Sequence, residues 1–157
     1  MIFTKDKITV KLYDSRKEMG EIAASDTAAK IQELLLVKDE INIIFAAAPS
    51  QNEFLASLVK ENRIDWSRIN AFHMDEYIGL EEDAPQRFGH FLKESIFGKV
   101  PFKQVNYING KALPSEECAR YEALLKQYPA DIVCLGIGEN GHIAFNDPHV
   151  ADFKDPQ

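Results

Sequence analysis

Residues 131–148, DIVCLGIGENGHIAFNDP, constrain the fold more than any other stretch. Ile132, Val133, Cys134, Leu135 and Ile137 form an apolar run that is too short and too β-branched for a helix. Bounded by Pro129 and by glycines, it is expected to be a buried strand. A run without polar alternation suits a strand covered on both faces, as in a parallel sheet. It leads into a loop that carries Gly136, Gly138 and Gly141 and presents Asn140, His142, Asn146 and Asp147. Open α/β sheets bind ligands in such loops, at the carboxyl ends of central strands. The three glycines spell GxGxxG, yet Pro148 follows too soon for the long helix of a dinucleotide site. The sequence also stops at Gln157, before the acidic residue expected about 20 positions later.

Elsewhere, strands alternate with helices. Ile8–Tyr13 alternates apolar and polar residues and is expected to be an edge strand. Ser15 with Glu18 forms a capping box for a helix to about Lys38, with Met19, Ile22, Ala23, Ala28, Ile31, Leu34 and Leu35 inward. Gly20 is expected to weaken its first half. Ile41–Ala46 is a second, central strand, followed by Ala47, Ala48, Pro49, Ser50 and a helix over 51–62. Small residues and a hydroxyl at such a turn suit either a phosphate cradle or a plain turn with Ser50 as N-cap. Arg68–Met74 is a third strand, and it ends in Asp75 and Glu76. Because side chains alternate along extended chain, at most one of these two acids faces a given pocket. A helix over 88–97, a short strand over 102–108 and a helix opened by Pro114, with Ala119, Leu124 and Leu125 inward, complete the pattern.

This order predicts an α/β fold, Rossmann-like, with a largely parallel sheet and helices on both faces. It also brings the ends of three strands, and with them Ser50, Asp75 and His142, to one crevice. The 157 residues, 45% hydrophobic and 27% charged, suffice for a single domain over 1–157. A formal net charge of −7 provides no basic field for nucleic acid or an anionic membrane. Met1–Val10 lacks the apolar core of a signal peptide and no segment approaches a membrane span, so a cytoplasmic protein is expected. Cys118 and Cys134, with no CxxC pattern, are expected to be reduced structural thiols.

FHMDEYIGL at 72–80 and LGIGENGHIAFNDP at 135–148 closely resemble the glucosamine-6-phosphate deaminase (isomerase) family, and RFGHFLKESIF and VNYING between them resemble its intervening region. The resemblance implies aldose–ketose isomerisation of an amino-sugar phosphate coupled to loss of ammonia, giving fructose 6-phosphate, with neither cofactor nor metal. It makes Asp75 the enolising base and His142 the ring-opening residue, an imidazole being suited to proton transfer near neutrality. Asn140 and Asp147 take the positions that orient this histidine; Asp147 stands where glutamate is usual. Substrate contacts are expected from Ser50, Ala47, Ala48, Gly138, Gly141 and Glu76. The family's phosphate turn is rich in threonine and glycine, whereas Ala47, Ala48, Pro49 and Ser50 offer one hydroxyl and lose one amide. That leaves galactosamine 6-phosphate open as a substrate beside glucosamine 6-phosphate.

Family chains continue past residue 157, so the domain is expected to lack its C-terminal part. The expected partner is a small-molecule amino-sugar phosphate, with no nucleic acid or membrane, and homo-oligomerisation is left open. Two alternatives stand beside this reading. One is a 6-phosphogluconolactonase-like hydrolase of the same fold; the other is a sugar-phosphate-binding module without turnover.

Overall fold

The computed structural model describes residues 1–144 together with Asn146, Pro148, Ala151, Asp152 and Lys154. Its centre is a four-stranded parallel sheet of β3 (Ile41–Phe45), β4 (Ile69–His73), β5 (Gln104–Asn106) and β6 (Ile132–Cys134), in the order β5-β4-β3-β6. The chain moves outward from β3 through β4 to β5, then returns to add β6 on the other side of β3. The winding order therefore reverses between the parallel strands β3 and β6, and a crevice opens there at the carboxyl ends of the strands.

Alternation along β3 and β4 divides the core. Ile41, Ile43, Phe45, Ile69 and Ala71 face α1 (Arg16–Leu35), α2 (Asn52–Leu58) and α3 (Phe88–Leu92), which runs on as a π-helical turn over Lys93–Phe97. Leu55, Leu58, Leu92 and Ile96 are fully buried in this layer, each worth about 1.5–3 kcal/mol relative to exposure. The opposite face holds Phe72, which meets Tyr121 of α4 (Pro114–Gln127) edge-on at 6.1 Å. At the amino ends, the Asn70 amide donates to Asn42 Oδ1 at 2.9 Å and the Asn42 backbone N–H donates to Asp131 Oδ2 at 2.9 Å. Buried polar groups so matched set the register of β6 against β3.

Several expectations are corrected. Ile8–Lys11 (β2) does not join the main sheet: it pairs antiparallel with β1 (Ile2–Lys5) in a separate hairpin. On α1, Ser15 caps Glu18 N at 3.1 Å as expected, but Met19 and Ile22 are 44% and 38% exposed. The buried seam is Gly20, Ala24, Ala28 and Ile31, because α1 crosses α2 so closely that a Cβ on Gly20 would lie 2.6 Å from Glu53 Cβ. Gly20, read as a weakness, is what permits the crossing. On α4 the buried residues are Glu117 and Tyr121, while Ala119 is exposed. Glu117 accepts from Asn109 N at 2.7 Å and pairs with Arg120, so a carboxylate faces inward at no unpaired cost.

The largest correction concerns β6. Among the described residues it is an edge strand, not a covered central one, and Val133 is 45% exposed. Beside it Met19, Gly20, Ala23, Phe54 and Leu135 line an apolar groove of about 440 Å³. An apolar run signals a preference for cover on both faces; it does not supply the cover.

Tyr121 ties α4 to the sheet beneath the crevice. Its hydroxyl accepts from His73 N at 3.0 Å and donates to His73 O at 2.8 Å, and burial pushes its pKa up to about 12. Tyr121→Phe leaves the buried His73 N–H without its acceptor, so a loss of about 1–3 kcal/mol in urea unfolding is expected. An unchanged midpoint would show that the bond contributes nothing.

Candidate active site

Three chain segments leave the sheet at its carboxyl edge and close around a cavity of about 200 Å³. The turn after β3 contributes Ala47, Ala48 and Ser50, the end of β4 contributes Met74 and Asp75, and the loop after β6 contributes Gly136, Gly138, His142 and Ala144. Ser50, Asp75 and His142, far apart in sequence, are thus brought together. Among the described residues no group of three His, Cys, Asp or Glu side chains is placed to hold a metal ion.

The loop after β6 is a small hairpin. Gly138 N donates to His142 O at 2.9 Å, Gly141 N donates to Gly138 O at 2.9 Å, and Ile137 bridges Ile143 in antiparallel fashion. Gly141 has φ +84°, the left-handed conformation that closes a three-residue hairpin loop and favours glycine. Gly138 serves a different purpose. A Cβ there would lie 2.1 Å from His142 Cε1 and 2.5 Å from Nδ1, so the imidazole occupies the space that any side chain would fill.

Asn140 fixes the ring. Its Oδ1 accepts from His142 N at 3.2 Å and stands 2.5 Å from Nδ1. An amide oxygen that takes a backbone N–H can only accept from the ring as well, which assigns the Nδ1–H tautomer and leaves Nε2 the basic nitrogen. Asp147, the other expected orienting residue, lies outside the described residues.

Asp75 and Glu76 part as alternation requires. Asp75 lines the cavity, half-buried, and desolvation together with the charge of Glu76 raises its carboxyl above the ordinary 3.8. Glu76, expected to touch substrate, is turned away from the cavity and its side chain is fully buried. Its Oε1 accepts from Tyr77 N at 2.9 Å and Phe88 N at 3.0 Å; its Oε2 accepts from Gly89 N at 3.0 Å and Arg87 Nε at 3.2 Å. It is an anchor for the 75–80 loop, pinned to the start of α3. Gly110 lets the next loop cross here, since its Cβ would lie 2.3 Å from Tyr77 O.

The β3 turn also differs from expectation. Pro49–Gln51 forms a short 3-10 turn before α2, and the Ser50 hydroxyl caps neither helix. It lies on the cavity wall instead, 3.5 Å from Gln51 Nε2. Gly141, another expected contact, closes the hairpin turn and is not part of the cavity lining. Sequence reasoning missed His73, the buried end of β4, whose ring touches both the Asp75 carbonyl and Ile108 N. A polar residue closing an apolar strand two positions before Asp75 was the available signal.

The fold is thus a parallel α/β sheet whose carboxyl edge sets the Asp75 carboxylate and the His142 imidazole on one crevice. The chain belongs to the family of glucosamine-6-phosphate isomerases/6-phosphogluconolactonases, whose model matches residues 14–149. It is 37% identical over 130 residues to a glucosamine-6-phosphate deaminase of Listeria innocua, covering 82% of this chain and 56% of that one. It is 39% identical over 122 residues to a glucosamine-6-phosphate deaminase of Exiguobacterium sp., covering 74% and 48%. A solved monomeric glucosamine-6-phosphate deaminase, 29% identical, superposes with a TM-score of 0.78 over 90% of this chain and 60% of that one. The 6-phosphogluconolactonase of Thermotoga maritima, 24% identical, shares the fold with a TM-score of 0.74 over 87% and 62%. The chain spans about half the length of the curated relatives it matches.

Proposed function

We propose that the protein carrying this chain isomerises and deaminates an amino-sugar 6-phosphate in the cytoplasm, taking glucosamine 6-phosphate and water to fructose 6-phosphate and ammonia. The observation that carries this reading is the single cavity shared by Asp75 and His142. His142, through Nε2, would take the proton of the C1 hydroxyl and deliver it to the ring oxygen as the C1–ring oxygen bond breaks and the pyranose opens. Asp75 would then take the C2 proton while the aldehyde oxygen is protonated, giving an enolamine, and return the proton at C1 as the amino nitrogen gives one up, leaving an imine at C2 that water cleaves to release ammonia. Asn140 holds the imidazole but, being neutral, adds no charge to stabilise imidazolium. Ser50 and the small residues Ala47 and Ala48 leave space and one hydroxyl for the substrate's polar groups.

The testing experiment is proton NMR of glucosamine 6-phosphate in deuterated buffer, following the C2 proton, fructose 6-phosphate and ammonium. Exchange at C2 with product formation is expected; hydrolysis of 6-phosphogluconolactone in a parallel assay, with no C2 exchange on glucosamine 6-phosphate, would sink the reading in favour of a lactonase. The pH dependence carries its own expectation. Asp75 acts as a base only when ionised, and its carboxyl is held above the ordinary range. Exchange should therefore rise with pH through a limb above 3.8. A limb at the ordinary carboxylate value would mean that the burial of Asp75 does not govern the reaction.

A further inference from the structure

β4 ends on a histidine that the proton-transfer scheme does not use. His73 is 1% exposed, with its ring edge-on to Tyr107 at 5.9 Å and to Tyr121 at 6.4 Å. Both ring nitrogens have backbone partners. Ile108 N–H donates to Nε2 at 2.9 Å, and Nδ1 lies 3.0 Å from the Asp75 carbonyl oxygen. A backbone N–H only donates and a carbonyl only accepts, so Nε2 must be bare and Nδ1 must carry the proton. Burial, and the Arg87 charge nearby, hold the ring neutral against the opposing pull of Glu76. The backbone of His73 is clamped in turn by Tyr121, which bonds both its N–H and its carbonyl.

We infer that His73 is the positioning residue for Asp75: as the neutral Nδ1–H tautomer it holds the Asp75 carbonyl and so sets where the carboxylate stands in the cavity. Glu76, pinned to the start of α3, fixes the next residue. Asp75 is therefore held on its carboxyl side by two independent anchors, one a ring and one a side-chain carboxylate. This inference rests on the reading of Asp75 as the base at C2.

Two substitutions separate the ends of the bridge. In His73→Asn the amide N–H falls near the Nδ1 position and can still donate to Asp75, but nothing reaches Ile108. In His73→Gln the amide oxygen falls near the Nε2 position and can still accept from Ile108, but no donor faces Asp75. The C2 exchange kcat of His73→Gln should drop about 10²-fold, as for a misplaced reacting group, with KM changed less than about threefold. His73→Asn should stay within about tenfold of the parent. A purely structural role predicts that activity follows thermal stability, so equal losses, or a larger loss in His73→Asn, would overturn the inference. A readout that needs no turnover is the carboxyl 13C titration of Asp75, which should fall toward the ordinary range in His73→Gln and hold in His73→Asn. The ring's 15N spectrum should show Nδ1 protonated, and an Nε2–H tautomer also overturns the inference. Should Asp75→Asn retain full C2 exchange, it is the reading of Asp75 as base that fails, while the tautomer and the 13C titration still decide what His73 holds.

Discussion

Asp75→Asn is expected to lower C2 proton exchange by about 10²- to 10⁴-fold, the usual worth of a positioned base, while ligand binding persists. Asparagine has nearly the same shape and leaves the His73 and Glu76 anchors in place, so the loss is chemical. The same change carries an opposite expectation for stability. Because the folded protein raises the Asp75 carboxyl, it holds that proton more tightly than the unfolded chain does. Between the ordinary value and the raised one, stability falls as pH rises, and the ionised carboxylate opposes folding above that window. Asp75→Asn should therefore have a Tm at pH 7 at or above the parent's, with the advantage closing as the pH falls below 3.8. A mutant with wild-type exchange, or one clearly less stable at pH 7, would contradict the respective half of this expectation. The fold holds a carboxylate in a place that disfavours its charge, which is common where function and stability compete.

Gly138→Ala should be nearly as damaging through sterics alone. Gly138 does not have a left-handed φ, so alanine meets no backbone strain there. Its methyl would instead fall 2.1 Å from His142 Cε1, 2.5 Å from Nδ1 and 2.6 Å from Nε2. Moving the ring out of the way stretches its Nδ1 bond to Asn140. Displacing it should slow turnover of cyclic glucosamine 6-phosphate by about 10²-fold, while an open-chain analogue, which needs no ring opening, loses far less. Comparing the two substrates is the check. Equal losses would mean that Gly138 matters for something other than His142, and no loss at all would remove His142 from the position described.

The parallel sheet, the placement of the three loops and the pairing of Asp75 with His142 were legible in the sequence because they follow from strand patterning and from strand ends sharing one edge. Alternation even anticipated that only one of Asp75 and Glu76 could face the cavity. What escaped depended on contacts between segments. Glu76 looked like a ligand-facing acid because nothing in DEYIGL names Arg87 or the α3 amides that bury it. Gly20 looked like a helix defect because the closeness of Glu53 is a tertiary fact. Gly138 was expected as a substrate contact and does line the cavity, but what its missing side chain supplies is room for an imidazole. The 131–137 run was read as covered because apolarity records what a strand prefers, and among the described residues β6 has a strand neighbour on one side only.

The order of the strands also bears on how the site comes into being. Asn42 finds Asn70 across 28 residues, whereas its bond to Asp131 closes a span of 89. The longer closure costs about 1 kcal/mol more chain entropy. The half that carries Asp75 can therefore form around β3, β4 and β5 before His142 is delivered, and during synthesis it must wait for it. In reverse, β6 is bonded within the described sheet to β3 alone, so the opening that separates Asp75 from His142 need not be global unfolding. Loss of activity under mild denaturant would then precede loss of the fold.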